Sequence, residues 1–182
     1  MSKGYRYLAA LAALLVLLAG CRGIGGPGVD YDALVRQTLA REYSFTAEAA
    51  YSGTTATLQL TKTGEADLQA DFTAPEALNG LSVTAAGEAL TVRFRGMEVD
   101  LSAYAIPTQS LMTLVREVLT GEKSGKLTVE AEEDTVTASG SILLTTYQLI
   151  FDKETMALEK IVIPSVEGEA TITDFRFLDE EP

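Results

Sequence analysis

The chain contains no histidine, no tryptophan and only one cysteine. Without histidine there can be no Ser-His-Asp triad, no Cys–His nucleophile pair and no imidazole-ligated zinc. The lone thiol, Cys21, lies near the start, so the chain after it has neither an internal disulfide nor a cysteine metal site. A domain built from that remainder must be held together by its core. Positive charge is also scarce: 14 basic residues face 26 acidic ones, for a net charge of −12. Such a surface repels nucleic acid and anionic lipid headgroups. Long apolar runs are limited to residues 8–19, short of the ~20 residues that span a bilayer.

That run is informative because of where it lies. Lys3 and Arg6 precede it, residues 8–18 carry no charge, and Leu18-Ala19-Gly20-Cys21 follows. A positive segment, an apolar segment and small residues before a cut form an export signal. Cysteine directly after the cut is the lipobox arrangement, in which the thiol takes a diacylglycerol and becomes the new N-terminus. A buried core helix would not be expected to start at residue 8 behind two cations. The expected organisation is a lipoprotein signal peptide over 1–20, lipidated Cys21 with a flexible tether through 28, and one β domain over 29–182. Removing Lys3 and Arg6 with the signal leaves 12 basic and 26 acidic residues, a net of −14. Membrane attachment is therefore expected through the Cys21 lipid, palmitate included, on the extracytoplasmic face of the membrane of a Gram-positive-type bacterium. Residues 22–28 are glycine-rich and reach at most ~25 Å, which keeps the domain near the membrane.

Beyond the tether, Asp30 is placed to cap a short helix with Tyr31, Leu34, Val35 and Thr38 on one stripe. The period then becomes two. Phe45, Ala47, Ala49 and Tyr51 share a face, as do Leu58 and Leu60, and then Leu68, Ala70 and Phe72. Residues 74–80 read as a helical turn closed by glycine. Three strands follow, carrying Leu81 and Val83, then Leu90, Val92 and Phe94, then Met97, Val99 and Leu101. A second helix is expected over 107–120, with Leu111, Leu114, Val115 and Val118 on its stripe. Five further strands are expected near 126–132, 135–139, 141–151, 156–163 and 166–178. The total is about eleven strands with two or three helices, in one domain of mainly β class.

Few groups remain for catalysis. Glu130, Glu132, Glu133 and Asp134 form the densest acidic cluster, but a strand end and turn is where a solvated charge run belongs. Arg93 and Arg95 could meet an anion, yet Glu98 and Asp100 lie across the hairpin to pair with them. The calcium-loop pattern is missing. The chain reads as a non-enzyme that needs no cofactor and no metal.

A single antiparallel sheet with one apolar face must bury that face. Two flat sheets could pack on each other, or one sheet could curl around its helices into an incomplete barrel, with the helix between the two halves of the sheet as a plug or lid. Two short helices cannot cover eleven strands, so the remaining inner face either fills with side chains or lines a pocket. Leu58, Leu60, Leu90, Val92 and Phe94 from the sheet, with Leu111, Leu114 and Val118 from the lid, are the candidate ligand-binding residues.

Phe72-Thr73-Ala74-Pro75-Glu76-Ala77-Leu78-Asn79-Gly80-Leu81 and the tail Ala170-Thr171-Ile172-Thr173-Asp174-Phe175-Arg176-Phe177, with this order of elements, resemble the lipoprotein-carrier family of LolA, LolB and the mycobacterial lipid-carrying lipoproteins. Firmicutes members of that family include a clostridial germination lipoprotein that works through protein partners. The resemblance implies a curved half-barrel with a helical lid. Two functions follow as expectations. One is a carrier or chaperone holding a lipid or other apolar ligand in the concave face. The other is an envelope or sporulation- and germination-associated scaffold with a filled core that docks a protein. A whole acyl chain calls for a pocket in the ~300–1,000 Å³ range, so cavity volume separates the two.

Overall fold

The protein is seen in a computed structural model that describes residues 28–65, 67–87, 89–102, 111–120, 127–142 and 145–179. The expected signal peptide, Cys21 and the tether through residue 27 lie outside the described residues. So do residues 107–110, the expected start of the second helix, and the side chains of Leu111 and Leu114. All the described elements fall within a compact unit spanning Tyr31–Pro182.

Helix α1 (Tyr31–Ala40) precedes β1 (Tyr43–Tyr51), β2 (Thr54–Thr63), β3 (Asp67–Ala74), β4 (Ser82–Ala86), β5 (Ala89–Phe94) and β6 (Met97–Ser102). Helix α2 (Leu111–Thr120) leads to β7 (Thr128–Ala131), β8 (Thr135–Ile142), β9 (Thr145–Asp152), β10 (Leu158–Ile163) and β11 (Gly168–Phe177). The eleven strands make one unclosed, curved antiparallel sheet in the order β6-β5-β4-β3-β2-β1-β11-β10-β9-β8-β7. Two meanders are thus joined at the centre, where the first strand pairs with the last. β6 and β7 lie at opposite edges, so the connection carrying α2 has to cross the sheet, and Val118 and Leu119 of that helix are buried in the core.

Local chemistry sets the hairpins. Ser52 and Gly53 between β1 and β2, and Arg95 and Gly96 between β5 and β6, all have positive φ, from 46° to 80°. Paired positive φ values define the two-residue turn whose twist matches antiparallel strands. Asp152 closes the β9–β10 turn, its Oδ1 accepting from the Thr155 N–H at 2.7 Å and the Thr155 hydroxyl at 2.6 Å. Those donors hold its carboxyl below the usual range. Residues 75–80 make a hydrogen-bonded turn, with the Asn79 N–H donating to the Pro75 carbonyl at 3.1 Å.

One expected boundary moves. Sequence patterning places Ile142 with Leu149 in a strand over 141–151, but Ile142 ends β8, and β9 begins at Thr145. The ladder runs unbroken through Gly140, opposite Tyr147. A Cβ at Gly140 would lie 2.5 Å from the Tyr147 ring. The glycine there gives the ring its place rather than ending a strand.

The core is fullest on one side. Val136, Ala138, Tyr147, Leu149, Phe151 and Leu158 from β8, β9 and β10 are buried together with Val35 and Leu39 of α1. At the strand junction Tyr43, Phe45, Phe175 and Phe177 form an aromatic group with centroids 5.2–6.3 Å apart. Arg41 lies 3.5 Å over the Phe177 ring and bonds both oxygens of Asp179, at 3.1 and 2.6 Å. The start of β1 is thereby tied to the end of β11.

Candidate functional site: an alanine-floored cavity under the lid helix

Side-chain size on the inner face decides where the sheet leaves space. Cross-strand partners share a face, and Ala56, Ala49 and Ala170 stand in one row across β2, β1 and β11. Ala47 lies one step along β1, with Ala70 on β3 and Gly168 at the start of β11. These small residues floor a cavity of about 190 Å³. Its walls are Phe45, Leu58, Leu60, Phe72, Ile161 and Ile163, and Val115 and Leu119 of α2 form the roof. The two elements expected to face each other do so here, lid helix over sheet.

The cavity has direction. Phe45, Leu60, Ala70 and Leu119 are buried and close one end. Just beyond them Tyr43 donates its hydroxyl to the Leu119 carbonyl at 3.2 Å, fastening the last turn of α2 to the sheet. Burial raises the Tyr43 pKa, which keeps the hydroxyl protonated as a donor. Beside it Lys62 is 0% exposed, its ammonium donating to the carbonyls of Arg41 at 3.1 Å and Gly64 at 2.9 Å. Desolvation lowers the Lys62 pKa against the opposing pull of Glu42 and Glu65. The other end opens at the β1–β2 hairpin, where Tyr51 is 43% exposed. One charged residue, Glu169, borders the cavity among the described residues, but it stands opposite Ala50 and Val162 on the other face of the sheet, where its carboxylate is paired to Lys160 at 2.7 Å.

The expected binding residues are dispersed. Leu58 and Leu60 line the cavity. Val118 is buried in the core beside it. Leu90 packs half-buried against that core. Val92 and Phe94 stand half-buried on β5, with Val92 on the same face as Val83. The lining residues that sequence reasoning missed include Phe45, Phe72, Val115, Leu119, Ile161 and Ile163, and above all the alanines of the floor. The alanines' signal was present: small side chains recur in phase with the strand alternation, so the inner face loses volume at its centre.

Other candidates resolve into surface structure. Arg93 pairs with Glu98 at 2.6 Å, while Arg95 sits in the turn, 4.9 Å over the Phe94 ring. The acidic run at 130–134 lies at the end of β7 and in the following turn, where Lys153 donates to the carbonyls of Glu132 and Glu133. Among the described residues no cluster of three or more His, Cys, Asp or Glu is placed to hold a metal ion, and no helix is long and apolar enough to cross a membrane.

The cavity volume falls below the ~300–1,000 Å³ range for a whole acyl chain, so the cavity would take only part of one. A cavity of ~150 Å³ accommodates benzene, about 25 Å³ per carbon. By that measure about seven or eight carbons fit.

No protein-family model matches the sequence, and no curated protein matches it. Solved structures do match. An uncharacterized conserved protein from Thermus thermophilus aligns with a TM-score of 0.56 at 11% identity, over 83% of this chain and 88% of that one. A LolA superfamily protein from Nitrosomonas europaea aligns at 0.45 and 10% identity, over 82% and 94%. A chain from the complex of the Clostridioides difficile CwlD amidase with the GerS lipoprotein aligns at 0.45 and 12%, over 87% and 96%. The likeness to the Thermus thermophilus structure is one of fold alone.

Proposed function

We propose that this protein is a membrane-anchored extracytoplasmic lipoprotein, lipidated on Cys21, whose β domain binds an alkyl chain in the concave cavity. The observation that carries the reading is the cavity itself: apolar, closed at Leu60 and Leu119 and open at Tyr51. A ligand enters by its apolar end, and its polar end stays at the rim beside Tyr51 and Thr54. A longer lipid would place only its first carbons inside. Among the described residues the lining is almost wholly apolar, which suits binding of an alkyl chain.

Calorimetry with a series of straight-chain alkanoates, on the chain from residue 28 onward, tests this. Affinity should rise by about 0.8 kcal/mol, close to fourfold, per methylene. The rise should stop near eight carbons. Absence of binding across the series would sink the carrier reading and leave the filled-core, partner-docking scaffold in its place.

The anchor has its own test. Cys21→Ser should abolish metabolic labelling with palmitate and move the protein out of the processed membrane fraction. A variant that is cut after residue 20 and still sediments with membranes would show that attachment does not depend on Cys21.

A further inference from the structure

The two edges of the sheet differ. β7 is four residues long, and α1 packs against it. β6 is six residues long, ends the sheet order and pairs with β5 without a bulge. Sheet edges are ordinarily blunted by shortness, proline, charge, a bulge or a covering element; β6 (MEVDLS) has no proline, lysine or bulge, its edge charges are Glu98 and Asp100, and among the described residues no element pairs with its outer side. Its inner face is also uncovered: Met97 is 65% exposed and Val99 51%.

The β5–β6 hairpin fixes which backbone groups are free. Its two-residue turn makes Phe94 and Met97 a hydrogen-bonded pair, and hydrogen-bonded pairs recur every second residue. Met97, Val99 and Leu101 therefore direct their N–H and C=O groups at β5. Those of Glu98 and Asp100 point to the free edge. The same two residues present carboxylates on the outer face, where Glu98 meets Arg93 at 2.6 Å and Asp100 accepts from Thr91 at 2.8 Å.

This pattern selects the occupant. In a second copy of β6 paired about a two-fold axis, registers centred on 98, 99 or 100 set an acid opposite an acid, which destabilises cross-strand pairing. A strand with cations at those positions and apolar residues between them meets Glu98 and Asp100 on one face and covers Met97 and Val99 on the other. We propose that the free edge of β6 is a docking site for an extended segment of another protein in which apolar and cationic side chains alternate. Main-chain hydrogen bonds supply affinity and the alternating side chains supply selection. The site is separate from the alanine-floored cavity and does not depend on what that cavity binds.

The test uses the full chain in zwitterionic phosphatidylcholine nanodiscs, with hydrogen–deuterium exchange of the β6 segment as the readout. The probes are the capped peptide Lys-Val-Lys-Val-Lys-Val and its block isomer Lys-Lys-Lys-Val-Val-Val, equal in charge and composition. The alternating peptide should slow exchange in β6 at least tenfold, and the block peptide should not. Asp100→Pro removes an edge N–H but no β5 ladder bond and should abolish the protection. Asp100→Lys keeps that N–H, so it should weaken the lysine peptide tenfold and let Glu-Val-Glu-Val-Glu-Val protect the segment. Equal protection by both lysine peptides, or unchanged selectivity in Asp100→Lys, would overturn the proposal. So would β6 protection that grows with protein concentration alone, because a second copy would then be the occupant.

Discussion

Ala49→Leu should leave the fold intact and cost most of the alkyl binding. Ala49 stands at the centre of the Ala56–Ala49–Ala170 row, and its Cβ faces the cavity. Leucine adds three carbons to a space for about seven or eight, by the volume that benzene takes. A ligand then buries about three fewer methylenes, a loss of about 2.4 kcal/mol or on the order of fiftyfold in affinity. The stability change should be small or favourable, because filling an existing void adds contacts without displacing packed neighbours. Gln59→Leu provides the contrast: Gln59 is exposed on the opposite face of β2, and its replacement should leave binding unchanged. The readouts are calorimetry with octanoate and thermal melting. Wild-type affinity in Ala49→Leu would place the ligand somewhere other than this cavity.

The alanine row also shows what sequence patterning can and cannot convey. Strand alternation assigned Phe45, Ala47 and Ala49 to one face, and Leu58 and Leu60 to another, and these faces meet in the structure. Alternation reports direction only. It does not say which inner residues from distant strands stand in one row, and that requires the pairing of β1 with β11 across more than a hundred residues. With β1 central, Ala49 lies opposite both Ala56 and Ala170, and the row becomes a void. Leu90, Val92 and Phe94 follow the same alternation but lie on β5, one strand from the β6 edge and away from the centre. Leucine and phenylalanine marked the inner face well. The cavity lay where side chains were small, which a search for large apolar residues passes over.

The two halves of the sheet should therefore respond differently to the same truncation. Phe151 on β9 is fully buried among Val136, Leu149 and Leu158. Removing its ring deletes packing on every side and leaves a hole that neighbouring strands cannot close. Phe151→Ala should cost ~3–5 kcal/mol. At 2–4 °C per kcal/mol for a domain of this size, the melting temperature should fall by roughly 6–20 °C. Phe94 on β5 is half-buried, and the inner-face residues beyond it, Met97 and Val99, are exposed. Its ring has less packing to lose, so Phe94→Ala should cost about 1 kcal/mol, a few degrees at most. Because Phe94 lies outside the cavity lining, its truncation should also leave alkanoate affinity unchanged. Equal losses at the two positions would mean that the β4–β6 flank is packed as tightly as the β8–β10 half. In that event the apolar inner face at β6 would already be occupied, with no room for a docking strand.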